Sequence, residues 1–181
     1  WSVPEKVDYL LVWAKLNALA FDHRVMKPWA RDPILYLDDV SEMPYPSTPL
    51  LAEKKAEVAA KLKTVPKVMA DAQKNLTEAN GELSKLAIFY LENFDGVGQG
   101  EPYRDQPPAG VIGWYQDFCG RLTQHHADLV PSCQAAGTAV SGFRDWLRAN
   151  VDRMPHSAAV GMENFNWYLK HVRLLPYDSE D

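Results

Sequence analysis

Apolar residues recur along this chain at intervals of three and four, and no segment shows sustained alternation of apolar and polar residues. Alternation is what a half-buried strand needs, and three-four spacing is what one face of an α-helix needs. The chain is therefore expected to be all-α: a multi-helix bundle of about six to eight helices, with a first long helix and no sheet. The first pattern is the clearest. Val7, Leu11, Ala14, Ala18, Phe21 and Val25 form one continuous seam inside a helical stretch from about Glu5 to Met26. Leu10, Leu16 and Leu19 widen the apolar surface beyond that seam, so this helix is expected to be covered on more than one side. Ser2 or Val3 sits at its cap, with Pro4 where a first-turn proline is tolerated.

The stretch Pro28-Trp29-Ala30-Arg31-Asp32-Pro33 stops this helix. Pro28 cannot continue it, and Asp32-Pro33 reads as a cap followed by a first-turn proline, opening a short second helix to about Glu42. Met43-Pro44-Tyr45-Pro46 breaks that one. Ser47 or Thr48 is expected to cap a third helix with Pro49 in its first turn, burying Leu51, Val58, Ala59 and Leu62. Thr64-Val65-Pro66 is a kink or a fresh start, and the pattern resumes to about Leu76. Leu83, Ala87, Tyr90 and Phe94 mark a further seam. Asp95 to Gly110 is rich in Gly and Pro and is expected to form a mobile loop. Val111 to Leu129 reads as helix, and Pro131 restarts the pattern. Val140, Phe143, Leu147 and Val151 give the next seam. Met154-Pro155-His156 is a turn, and Met162, Phe165, Leu169 and Val172 give the last seam. The acidic tail Asp178 to Asp181 is expected to fray.

The 181 residues suffice for one helical domain with a real core. Nineteen Lys plus Arg against twenty-four Asp plus Glu leave a net charge of −5, a poor basis for non-specific nucleic-acid binding. No window is apolar for long enough to span a membrane, and no signal peptide is visible. Compartment is not readable from the residues.

Catalytic and metal motifs are incomplete. His23, His125, His126, His156 and His171 include no His-Glu-x-x-His pair. His125 and His126 diverge by roughly 100° on a helix, so they read as two exposed or half-buried side chains. Asp22-His23 would need a distorted backbone to pair. Gly96-Val97-Gly98-Gln99-Gly100 lacks the strand and the Lys-Ser/Thr of a phosphate loop, and Gly161 reads as a cap or tight turn. Asn75-Leu76-Thr77 matches an N-glycosylation acceptor, meaningful only in a eukaryotic secreted protein. Trp13, Trp114, Trp146 and Trp167 lie in helical patterns and are expected in the core. Trp29 lies in a turn; with Tyr36 it could line a groove, and anchoring the turn is the plainer role. Cys119 and Cys133 match no zinc spacing. The expectation is two buried free thiols; the alternative is a bridge between neighbouring helices, fitting an oxidising compartment.

Two segments carry a resemblance. One runs from Val7-Asp8-Tyr9-Leu10-Leu11 through Leu16-Asn17-Ala18-Leu19, His23-Arg24-Val25 and Lys27-Pro28-Trp29-Ala30-Arg31-Asp32-Pro33 to Tyr36-Leu37. The other is Gly161-Met162-Glu163-Asn164-Phe165, then Trp167-Tyr168-Leu169-Lys170-His171 and Leu174-Leu175. Both resemble the N-terminal half of the bacterial family called domain of unknown function 885. Asn75-Leu76 and Phe143-Arg144-Asp145-Trp146-Leu147 fall between them in compatible order. Members of that family are considerably longer, largely helical, and similar to gluzincin-type zinc metallopeptidases, with the zinc motif in the C-terminal half. The resemblance implies that residues 1–181 are the N-terminal portion of a longer hydrolase. It implies no zinc ligand or catalytic residue in this chain, zinc being possible in the full-length parent. It also implies an exported or lipoprotein context. Trp29, Arg31, Tyr36, Glu163 and Tyr168 are the candidates for a substrate cleft, because polar and aromatic groups cluster at the two resembling segments. The implied partner is the C-terminal half of the parent, or self-association. The alternative is a stand-alone helical binding or scaffold module.

Overall fold

The computed structural model describes residues 1–41, 48–93 and 110–180. Among them the regular structure is entirely helical, without a strand. The expected loop at 95–109 and the Met43–Pro46 break lie outside the described residues, as does Phe94.

Helix α1 (Val3–Phe21) begins at Ser2, whose hydroxyl accepts from the Glu5 amide while the Glu5 carboxylate accepts from the Ser2 amide at 2.6 Å. This reciprocal pair satisfies two of the donors that a helix start leaves open. The Ser2 and Glu5 bonds hold the Glu5 carboxyl below its ordinary range. One wide turn of π-helix, Asp22–Met26, follows, and Lys27 ends it in a left-handed conformation at φ 44°. Pro28–Arg31 forms the single turn α2, and α3 spans Ile34–Ser41, its first amide held by the Asp32 carboxylate at 2.9 Å. Asp32 therefore acts as the expected cap.

Helix α4 (Ala52–Asn75) starts later than expected: its N-cap is Leu51, with no side-chain cap bond, and not Thr48. Leu51 is exposed rather than part of the seam, whereas Val58 and Leu62 are buried. Pro66 neither ends nor restarts the helix. Leu62, Val65 and Met69 on both sides of it are buried in one core.

Helices α5 (Gly81–Glu92), α6 (Gly110–His125) and α7 (Val130–Asn150) complete the core. The α5 stripe is Ser84, Ala87 and Leu91, flanked by half-buried Leu83 and Tyr90. Helix α7 is central, packing on α4, α5 and α6 through Cys133, Ala136, Val140, Phe143 and Leu147. Tyr115, Phe118 and Leu122 of α6 fill the space beneath it. The Tyr115 hydroxyl donates to the Val40 carbonyl at 3.1 Å, and burial pushes its ionisation far above the usual phenol range. Glu92 at the end of α5 accepts from both Arg144 and Arg148 of α7.

Between α6 and α7 the helix does not run to Leu129. It ends at His125, and a short 3₁₀ turn over Ala127–Leu129 reverses the chain. That reversal brings Cys119 and Cys133 to a Cα separation of 5.6 Å, and they form a disulfide. The expectation of two free thiols is corrected, and the alternative, a bridge between neighbouring helices, is what the structure holds.

Helix α8 (Met162–His171) packs on α1 and buries no residue fully. Its contact face is Trp167, Tyr168 and His171, against Phe21 and Trp13. Met162 and Phe165, expected in its seam, are exposed. On α1 only the C-terminal part of the predicted seam is covered. Ala14 and Ala18 are half-buried and Phe21 is buried, while Val7 and Leu11 face solvent.

Candidate functional site

Three chain segments meet at one point. The Glu78 amide donates to the Ala30 carbonyl and the Asn80 amide to the Arg31 carbonyl, each at 3.0 Å, tying the Pro28–Asp32 turn to the residues before α5. The Gly81 amide donates to the Pro155 carbonyl at 2.7 Å, tying in the turn after α7. A Cβ on Gly81 would lie 3.0 Å from the His156 Nδ1 and 3.4 Å from the Pro155 oxygen, so a glycine permits this approach. Asn80 is 1% exposed and satisfied on both ends.

Around this junction lies a cavity of about 550 Å³, open to solvent. Arg31 and Arg153 line it together with Thr77, Asn80, Asn150 and Ser157. Arg31 is positioned by its own turn, its Nη1 donating to the Val25 carbonyl at 3.2 Å. Glu78, also at the wall, is held by Lys27 at 2.7 Å. Glu78 is thereby paired with Lys27, and Arg31 and Arg153 are the cationic residues among those lining the cavity. A guanidinium presents a planar fork of donors suited to carboxylate oxygens.

Of the five expected cleft residues, Arg31 lines this cavity. Trp29 and Tyr36 belong to the same turn in another capacity: the Tyr36 hydroxyl donates to the Trp29 carbonyl at 2.7 Å, and the Trp29 ring lies 4.9 Å from that of His23. They anchor the turn. Glu163 is exposed in the first turn of α8, and Tyr168 packs on Phe21 with ring centres 5.1 Å apart. Neither lines the cavity. The structure thus gathers the turn residues and leaves the α8 pair elsewhere. The Asp22–Met26 backbone is indeed distorted, yet the His23 ring is turned to Trp29.

Sequence reading missed Asn80 and Arg153. Asn80 had a signal, an Asn directly before Gly81-Glu82-Leu83 at a helix start. Arg153 had none, since its place depends on the turn that follows α7. A second groove of about 720 Å³, between α6 and α7, is lined by residues such as Gln116, Gly120, Gln134 and Thr138 and by no charged side chain. The described residues contain no group of three or more His, Cys, Asp or Glu side chains able to share a metal. No helix among them is long and apolar enough to cross a membrane.

Burial pushes the Asp32 carboxyl above its ordinary range, partly offset by the bond it accepts from the Ile34 amide. No family model, curated protein or solved structure matches this chain.

Proposed function

We propose that this chain is the N-terminal helical region of a larger hydrolase resembling zinc metallopeptidases, and that it supplies a wall of the substrate cleft rather than the reacting groups. The observation that supports this reading is the cavity wall carrying Arg31 and Arg153 beside a carboxylate already paired with Lys27. Two guanidinium groups on an open cavity hold a carboxylate, such as the C-terminal end of a peptide. In a chain of net charge −5 a basic pair on one cavity is a local feature, not a consequence of composition. The Cys119–Cys133 disulfide is in keeping with an exported protein.

The test is the product of the native gene. In this reading it is substantially longer than 181 residues and binds zinc through its additional part. Within it, Arg31→Ala and Arg153→Ala raise KM for a peptide with a free C-terminus while leaving kcat in place. A stand-alone helical binding module is the second reading, favoured by the closed core formed by α4 to α7. A metal-free native product of this size supports it.

A further inference from the structure

The cavity that carries Arg31 and Arg153 also has an apolar side. Leu76 and Ala79, each 5% exposed, belong to the hydrophobic core and line the cavity. Trp146 and Met154 are partly buried, pack against the same core and line the cavity too. The Trp146 ring lies nearly parallel to that of Phe143, at 10° with centroids 6.0 Å apart, and Phe143 is fully buried. The indole is thereby set in place by the core before any ligand arrives, which lowers the ordering cost of binding. Trp146, Asn150 and Arg153 stand four and three apart, so the end of α7 and the turn after it bring a ring, an amide and a guanidinium to one cavity. The Asn150 side chain donates to the Trp146 carbonyl at 2.8 Å within that row.

We propose that the apolar side receives the last side chain of a peptide, so that the cavity selects peptides ending in a large apolar or aromatic residue, with Trp146 as the specificity-determining contact. This rests on the carboxylate reading of Arg31 and Arg153 and adds the identity of the residue that bears the carboxylate. A terminal carboxylate and the terminal side chain leave the same Cα, and the cavity offers guanidinium and apolar surface together. Its volume of about 550 Å³ admits a terminal residue and its neighbour. Charge disfavours the other ends. A terminal Lys or Arg meets two guanidinium groups, while Glu78 is already engaged by Lys27. A terminal Asp or Glu sets a second carboxylate beside Leu76, Trp146 and Met154, where it loses water without an apolar gain.

Isothermal titration of the 181-residue chain with four N-acetylated dipeptides tests it: free acids ending in Phe, Gly and Asp, and the amide of the Phe peptide. The expected result is that the Phe acid binds at least about tenfold more tightly than the Gly or Asp acid. Trp146→Ala cuts that preference to about twofold while the Phe acid still outbinds its amide, and Trp146→Phe retains it. Circular dichroism checks that both variants stay helical, and the ligand series on the native chain decides the matter where Trp146→Ala fails to fold. Equal binding of the Phe and Gly acids, tighter binding of the Asp acid, or a preference untouched by Trp146→Ala overturns the inference and leaves the carboxylate reading standing. Equal binding of the Phe acid and its amide, or no binding of any acid, overturns the carboxylate reading and this inference with it.

Discussion

The side-chain amide of Asn80 donates to the Pro155 carbonyl at 3.1 Å while its oxygen accepts the amides of Glu82 and Leu83 at 3.0 and 3.1 Å. One buried residue thereby caps α5 and fastens the turn after α7 to it. Asn80→Ala removes the cap and strands the Pro155 side of the junction. The expected loss is about 2–3 kcal/mol, combining a lost cap with an unmade buried hydrogen bond. It is read as a lower urea midpoint with an unchanged slope.

Gly110 opens α6 at φ 66°, and a Cβ there would lie 2.3 Å from the Leu91 carbonyl oxygen. Backbone cannot move aside as a side-chain tip can. Gly110→Ala is expected to destabilise by at least about 2 kcal/mol. Gly120, inside α6 with nothing within 4 Å of its built Cβ, is the contrast. Gly120→Ala is expected to stabilise by about 0.5–1 kcal/mol, through helix propensity and a less flexible unfolded chain. Thermal melts of the pair check both signs.

The Cys119–Cys133 disulfide closes a loop of sequence separation 14. In the chain-entropy picture such a loop is worth about 3 kcal/mol. Reduction, or Cys119→Ser with Cys133→Ser, is expected to lower the urea midpoint accordingly while the helical signal persists, because the α6–α7 contact is otherwise intact. An intact-mass measurement two daltons below the reduced mass verifies the bridge.

Asp32 gives the chain a pH dependence of known sign. Its folded carboxyl ionises at a higher pH than in the unfolded chain, chiefly through burial. The folded state therefore binds the proton more tightly. The stability from this group is fully present below the unfolded pKa and is lost as pH rises through the folded one. Asp32→Asn keeps an oxygen for the Ile34 amide and removes the titration. It is expected to remove the fall in stability that Asp32 contributes as pH rises through the acidic carboxylate range, and to match or exceed the native chain near neutrality. Asp32→Ala, which loses the cap, is expected to fall below it at every pH by about 1 kcal/mol.

The helical class was legible because three-four spacing is a local property, and α7 shows it best, its Val140, Phe143 and Leu147 all lying in the core. What was not legible depended on distant contacts. The end of α6 coincides with His126, whose Nε2 accepts the Leu50 amide from across the fold at 2.8 Å. No local pattern announces that bond, so the end of α6 at His125 was missed, and the bridge between neighbouring helices stood only as the alternative to two free thiols. Seams also misled at the edge of the molecule. Val7, Leu11, Met162 and Phe165 have the right period yet face solvent, because periodicity states which residues share a face and not whether anything covers it. At the site, Arg31 was reachable from the Pro28–Pro33 turn. Its companion Arg153 was not, because more than a hundred residues separate them and only the Asn80 junction brings them to one wall.

The central claim is that Arg31 and Arg153 make the cavity a carboxylate site. Isothermal titration of the 181-residue chain with an N-acetylated dipeptide and with its C-terminal amide tests this directly. The account predicts saturable binding of the free acid, at least about tenfold weaker binding of the amide, and loss of that difference in the Arg31→Ala, Arg153→Ala double variant. Equal binding of acid and amide, or a difference that survives removal of both arginines, would contradict it.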